Sequence, residues 1–414
     1  MEIIMERITA KDREILRELA ARKAEYAHDE NNKNILRKWN AQEEGRREFP
    51  TVRLLFSNLT DEIVTPRMRC EGTFAREIEK ILIESMTGRE LFDDDTPISD
   101  TFDVYYDTWV KPFGAEPKSV KAKNSGGYHI EPIVEDLEED FDLLKGGSFG
   151  VNREKTAAYI ERLEEVFGDI LPTKLCGAPL LGPITNPLVH LMGMENYYIS
   201  MYDYPELLHD VMDMATTVYE RYYDFLEREG LLLPTVGTAP VNQESYAFTN
   251  ELPADRVTKT TECWGFLESQ ETTAVSPDTF GEFVFPYQDR LVKRMGLLSY
   301  GCCERVDAIW EDYLSKWSNL RKLSVSPFNN EEMVGEFLRG SRVVYYSKPR
   351  AELVTDSVMD EEALRRDFKR ICEAASGCLF EIGQREVMTL RGDVNRGRDY
   401  VRIAKECVER YWRP

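Results

Sequence analysis

The chain has 414 residues, 42% of them hydrophobic and 31% charged, with a formal net charge of -22. This length suits one large barrel with an added segment, or two domains. The acidic excess is spread along the chain and no basic stripe appears, which argues against nucleic acid and strongly anionic lipid as partners.

Eight cysteines in 414 residues do not make a disulfide framework. Residues 1–29 are too charged for a secretory signal. Apolar runs such as Leu231-Leu232-Leu233 before Pro234 are too short to span a bilayer. A cytoplasmic protein away from the membrane is expected, with homo-oligomerisation left open.

In chain order, residues 7–48 predict helix. Thr9 is a natural cap, Ile15, Leu16 and Leu19 recur at helical spacing, and a second stretch carries Ile35, Leu36 and Trp39. Residues 51–56 read as a strand, and 74–86 as a helix stopped by Gly88. Asp93-Asp94-Asp95 before Thr96-Pro97 reads as a loop or cap more than a cation site. Residues 101–110 look extended. Residues 111–150 look irregular, broken by Gly126-Gly127 and Gly146-Gly147, with the acidic run 135–142 as a solvated helix face.

From residue 152 the pattern alternates. Strands are predicted at 171–176, 231–236, 263–270, 297–301, 320–325, 342–346 and 378–382. Helices are predicted at 154–167, 205–229, 277–294, 305–316, 331–338, 361–375 and 395–412. Strand, helix, strand is the signature of parallel βα units. With residues 51–56 as a further strand, the expected fold is an α/β (β/α)8 TIM barrel over residues 51–414, preceded by an N-terminal helical extension over 1–50. No Gly-x-Gly-x-x-Gly follows a strand and no Walker A motif occurs.

In such a barrel, functional groups gather where strands end. Tyr300-Gly301-Cys302-Cys303-Glu304 follows the apolar run 295–299, and soft sulfur beside hard oxygen there reads as a zinc half-site. If strand alternation continued, Cys302 and Cys303 would face opposite sides, one toward the pocket and one into packing. Glu304 is either a pocket group or the first-turn acid of the next helix. Glu268 and Gln270 share one side of their strand and read as pocket lining, with Glu271 as the competitor on the other face. Glu381 is a lone carboxylate in an apolar strand, which needs a metal, a proton or an ion pair with Arg385 or Arg391. Lys348 follows the strand 342–346 and points either into the barrel mouth or to solvent. Tyr197, Tyr198, Tyr202 and Tyr204 form either an aromatic wall or plain packing. Four histidines, none at these strand ends, make a three-histidine zinc site implausible.

Certain stretches are similar to a known family. They are Glu268-Ser269-Gln270-Glu271 leading to Ser276-Pro277-Asp278-Thr279-Phe280, then Glu282-Phe283, Phe285-Pro286-Tyr287, Tyr300-Gly301-Cys302-Cys303-Glu304 and Ser324-Val325-Ser326-Pro327. Over residues 170–412 the chain resembles the uroporphyrinogen decarboxylase superfamily, in particular its corrinoid-dependent methyltransferase-like branch from anaerobic microbes. The family's thiol methyltransferases hold zinc through a His-x-Cys after this strand and a second, late cysteine. Here Cys302 matches the first cysteine, Tyr300 stands at the histidine position, and the late region reads Glu381-Ile382-Gly383-Gln384-Arg385-Glu386. Any zinc is therefore expected on Cys302 with a carboxylate, Glu381 or Glu268.

The resemblance implies a methyltransferase moving a methyl group between a small O- or N-methyl substrate and a corrinoid (cobalamin) carried by a partner protein. Glu268, Glu304 and Glu381 would be its catalytic acids, and Gln270, Tyr300 and Lys348 its substrate contacts. Decarboxylation of a porphyrinogen-like substrate is the alternative. Thr65-Pro66-Arg67-Met68-Arg69-Cys70 is a poor match for the Arg-Gln-Ala-Gly-Arg-Tyr-like segment of true decarboxylases. A third reading is a non-catalytic barrel that binds a corrinoid protein or small ligand.

Overall fold

The computed structural model describes residues 6–121, 128–242 and 245–414; the expected breaker Gly126-Gly127 lies outside them. Its centre is a seven-stranded sheet of β1 (Thr51–Leu54), β2 (Leu180–Leu181), β3 (Trp264–Leu267), β4 (Leu297–Tyr300), β5 (Leu320–Val325), β6 (Val344–Ser347) and β7 (Leu379–Gln384). The order is β1-β7-β6-β5-β4-β3-β2, and every pair is parallel. β4, β6 and β7 are buried along their whole length, as expected of parallel strands covered on both faces. In β7, Phe380 and Ile382 join the main apolar cluster, while Glu381, between them, meets Lys322 of β5. Fully burying a side chain such as Phe380 contributes about 1.5–3 kcal/mol.

The connecting helices follow their local signals. Ser276 caps Pro277–Phe283, Asn330 caps Glu331–Leu338 and Asp360 caps Glu361–Ala374, each through its side chain. Before the sheet, Thr9 caps Ala10–His28 and Asp29 caps Glu30–Glu43. The first of these helices buries Ile15, Leu16 and Leu19 in the main cluster. The second places Trp39 against Phe248, with ring centroids 5.9 Å apart. The acidic run forms the helix Leu137–Leu144, capped by Asp136.

The first strand lies beside the last and the remaining strands follow in chain order, which is TIM-barrel-like winding. Among the described residues, however, hydrogen bonding does not close a ring, and β1 and β2 are its edges. The expectation of a complete eight-stranded barrel is corrected at two of its expected strands. Residues 231–236 form no strand. The chain instead makes an antiparallel hairpin of Gly237–Asn242 and Ser245–Ala247. Thr173–Cys176 is a strand, but it pairs in parallel with Phe102–Tyr105 as a separate two-stranded sheet.

Among the described residues no strand pairs with the outer edge of β1, where aspartates take up its backbone groups. Asp95 Oδ2 accepts from Val52 N at 2.9 Å, Asp94 Oδ2 accepts from Leu54 N at 3.2 Å, and Asp95 N donates to Val52 O at 2.9 Å. Covering an edge in this way removes the demand for another strand.

Candidate functional site at the ends of two strands

β3 ends at Leu267, and the next residue is Glu268, buried at the C-terminal side of the sheet. The chain turns there. Gln270 N donates to Glu268 Oε2 at 2.9 Å, and Gln288 Nε2 holds the Glu268 carbonyl at 3.0 Å. Burial first, then the nearby Glu304 and Glu271 carboxylates, push Glu268 up to about 9. At neutral pH it therefore carries a proton.

Glu304 ties the two strand ends together. Its carboxylate accepts from Ser269 N at 2.8 Å after β3 and from Cys302 N at 2.6 Å after β4. Burial raises its pKa, and these backbone N–H groups oppose the rise. It is thus a buried brace ahead of the helical turn Val306–Ile309, not an acid within that turn.

The two cysteines do not follow strand alternation. Gly301, with φ of +100°, ends it immediately after Tyr300, a backbone state glycine adopts without penalty. The Sγ atoms of Cys302 and Cys303 then lie 3.6 Å apart, on the same side. That hydrogen bond, followed by burial, holds the Cys303 thiol well above the usual thiol range. Lys348 is buried beside them, and its Nζ donates to the Cys302 carbonyl at 3.1 Å. Burial lowers the Lys348 pKa, and the Cys302 sulfur is the main opposing influence. Ser326 Oγ donates to the Cys303 carbonyl at 3.1 Å, and Asn329 Nδ2 to the Glu304 carbonyl at 3.2 Å, so the loop after β5 holds the loop after β4.

Glu268, Glu304, Cys302 and Lys348 therefore stand together. Gln270 is half-buried and joins through its backbone. Glu271 also joins them: Thr185 Oγ1 and Asn186 Nδ2 each donate to its carboxylate at 2.8 Å, and Tyr198 OH donates to its carbonyl at 2.7 Å. A small cavity of about 140 Å³, lined by Glu304, Thr272, Phe280 and Arg305 among others, adjoins the group.

Two further expected site residues have their polar groups engaged by other side chains. Tyr300 is fully buried with its ring 5.3 Å from Trp317. Its hydroxyl shares a 2.9 Å hydrogen bond with Ser269 and donates to Gln288 Oε1 at 3.2 Å. It packs between sheet and helix, because strand alternation turns it to that layer. Glu381 lies mid-strand, where Lys322 Nζ at 2.7 Å, Gln42 Nε2 at 2.8 Å and Ser245 Oγ at 2.6 Å occupy its carboxylate. Lys322 also reaches Glu43 at 2.8 Å. The ion-pair partner is thus Lys322 rather than Arg385 or Arg391.

The sequence reading missed Lys322, Gln288, Asn329, Thr185 and Asn186. For Lys322, a charge between Leu320 and Leu323 in an apolar strand was the available signal. Of the four tyrosines, Tyr197 is buried, Tyr202 is 80% exposed and Tyr204 donates to Asp136, so they form no common wall. Among the described residues, no group of three or more His, Cys, Asp or Glu side chains is close enough together to hold a metal ion. Cys302 and Glu381 contact different partners.

The sequence matches no protein-family profile and no curated protein. Among solved structures, the chain is similar to a methyltransferase from Methanosarcina mazei, with a TM-score of 0.50 and 13% sequence identity over 90% of this chain and 98% of that one. At this identity the likeness establishes fold only: the chain has an α/β architecture of the kind that methyltransferase adopts.

Proposed function

We propose that this chain is a cytoplasmic methyltransferase of the uroporphyrinogen decarboxylase-like type. It moves a methyl group between a small O- or N-methyl substrate and a corrinoid carried by a partner protein. The observation that carries this reading is Glu268, a buried carboxyl at the end of a parallel strand with Glu304 and Glu271 nearby, surroundings that favour its protonated form. An ether oxygen or amine nitrogen leaves a methyl group poorly unless it is protonated as the bond breaks. The likeness of fold to a methyltransferase supports the same reading.

The corrinoid, when delivered by its partner, supplies the methyl-accepting centre. The rest of the work falls to this chain. Glu268 gives its proton to the departing oxygen or nitrogen and takes it back in the reverse direction. Glu304 fixes the spacing of the two strand ends through Ser269 N and Cys302 N. Lys348 holds the cysteine loop from the side of β6. The reading runs through proton transfer by Glu268.

The test is methyl transfer from O-methyl and N-methyl compounds to a purified corrinoid-binding protein, followed by the visible spectrum of the corrinoid. Glu268→Gln should lower the rate by about 10²–10⁴-fold. Release of carbon dioxide from a porphyrinogen, with no methyl transfer, would replace this reading by the decarboxylase.

A further inference from the structure

Cys302 and Cys303 are both reduced thiols, with their Sγ atoms 3.6 Å apart. A disulfide is about 2.05 Å long, so closing one here asks for a movement of about 1.6 Å. The positive φ of Gly301 turns both side chains to one side at the end of β4. Cys302 is 6% exposed and Cys303 is half-buried, so the pair lies near solvent, within reach of a molecule little larger than water. The methyl-transfer reading uses neither sulfur.

Neighbouring residues make an unusual bridge. Consecutive Cα atoms stand about 3.8 Å apart across a trans peptide, closer than the usual disulfide range of about 4.4–6.8 Å. Such a bridge is strained, and strained bridges are the easily reduced ones that act as switches. The peptide that must turn to close it is held on several sides. Lys348 Nζ donates to the Cys302 carbonyl at 3.1 Å, and Ser326 Oγ donates to the Cys303 carbonyl at 3.1 Å. Glu304 accepts from Cys302 N at 2.6 Å with one oxygen and from Ser269 N at 2.8 Å with the other. Turning the Cys302–Cys303 peptide therefore pulls on the carboxylate that links the ends of β3 and β4.

We propose that Cys302 and Cys303 form a reversible disulfide, closed by a peroxide and reopened by a small thiol, and that closure loosens the hold of Glu304 on the end of β3. In closing, hydrogen peroxide passes an oxygen to one sulfur, giving a sulfenic acid and releasing water. The second sulfur attacks the first, the S–S bond forms, and the sulfenic oxygen leaves as a second water with the second thiol's proton. In opening, two small thiols give their hydrogens to the cysteines and leave joined as their own disulfide.

The test treats the full chain with a small excess of hydrogen peroxide, quenches with catalase, alkylates, and digests with trypsin without reduction. Cleavage after Arg294 and Arg305 gives the peptide 295–305, which holds these two cysteines and no other. Its mass should fall by two hydrogen atoms and return with dithiothreitol. Cys303→Ser should lose this response entirely; should that variant not fold, the wild-type peptide decides the matter alone. Closure should also quicken hydrogen exchange at least about 10-fold in the peptide carrying Ser269, reversibly on reduction. Oxygen uptake without loss of hydrogen, a bridge between two chains, or the same response in Cys303→Ser would overturn the disulfide. Exchange at Ser269 unchanged by closure would overturn the link to Glu304.

Discussion

Replacing Glu268 by Gln removes one titrating proton from a buried site while keeping the side chain's shape. In the native chain Glu268 holds its proton up to about pH 9; in the unfolded chain a glutamate gives it up near pH 4.3. Between those values the native state binds one proton more than the unfolded state. The stability this contributes is fully present below about pH 4.3 and is lost as pH rises toward 9, at about 1.4 kcal/mol per pH unit. Over the two units from about pH 6 to pH 8, the wild type should lose about 2.7 kcal/mol that Glu268→Gln does not lose. Glu304, also raised, is one of the charges that raise Glu268, so the difference between the two proteins reports the titration of the pair. Urea denaturation followed by circular dichroism, at a series of pH values, measures this without any knowledge of the substrate. Parallel stability curves for the two proteins would refute a protonated Glu268, and with it the proton donor on which the proposed chemistry depends.

The polar cluster at mid-sheet makes a second prediction. Lys322→Met leaves Glu381 and Glu43 buried without their cation and should cost about 3–5 kcal/mol by urea denaturation. Replacing Glu43 and Glu381 by Met as well should recover most of that loss. Gly301→Ala puts a side chain at φ of +100°, with its Cβ 3.2 Å from Ser324 Cβ, and should destabilise by about 1–2 kcal/mol. By shifting the turn it should also weaken capture of phenylarsine oxide, which needs the two sulfurs side by side. Asp95→Ala uncovers the edge of β1 at Val52 N and should cost about 1–3 kcal/mol, seen as a lower denaturation midpoint with an unchanged slope.

Several features were legible in the sequence because they depend on neighbours along the chain. Thr9 caps its helix through a side chain acting on the next turn, as its place ahead of the apolar spacing indicated. The apolar runs of β4 to β7 had to be strands buried on both faces, and the helices between them made those strands parallel. Glu268 and Glu304 stood out as carboxylates at the ends of apolar runs.

What the sequence left open depends on partners far away in the chain. Leu231-Leu232-Leu233 has the look of a strand, but a strand exists only where another offers its edge, and among the described residues none pairs with it. Glu381 had the composition of a catalytic acid until folding brought Lys322 to within 2.7 Å of it. The raised pKa of Glu268 arises from burial and from two carboxylates brought near by turns after β3 and β4. A single positive φ at Gly301 decided that both cysteines share a side. Local propensity and apolar period thus determined which segments form helices and parallel strands. Only the tertiary structure decided which charges are paired and which protonated, because those states depend on distance and burial in space, not on spacing along the chain.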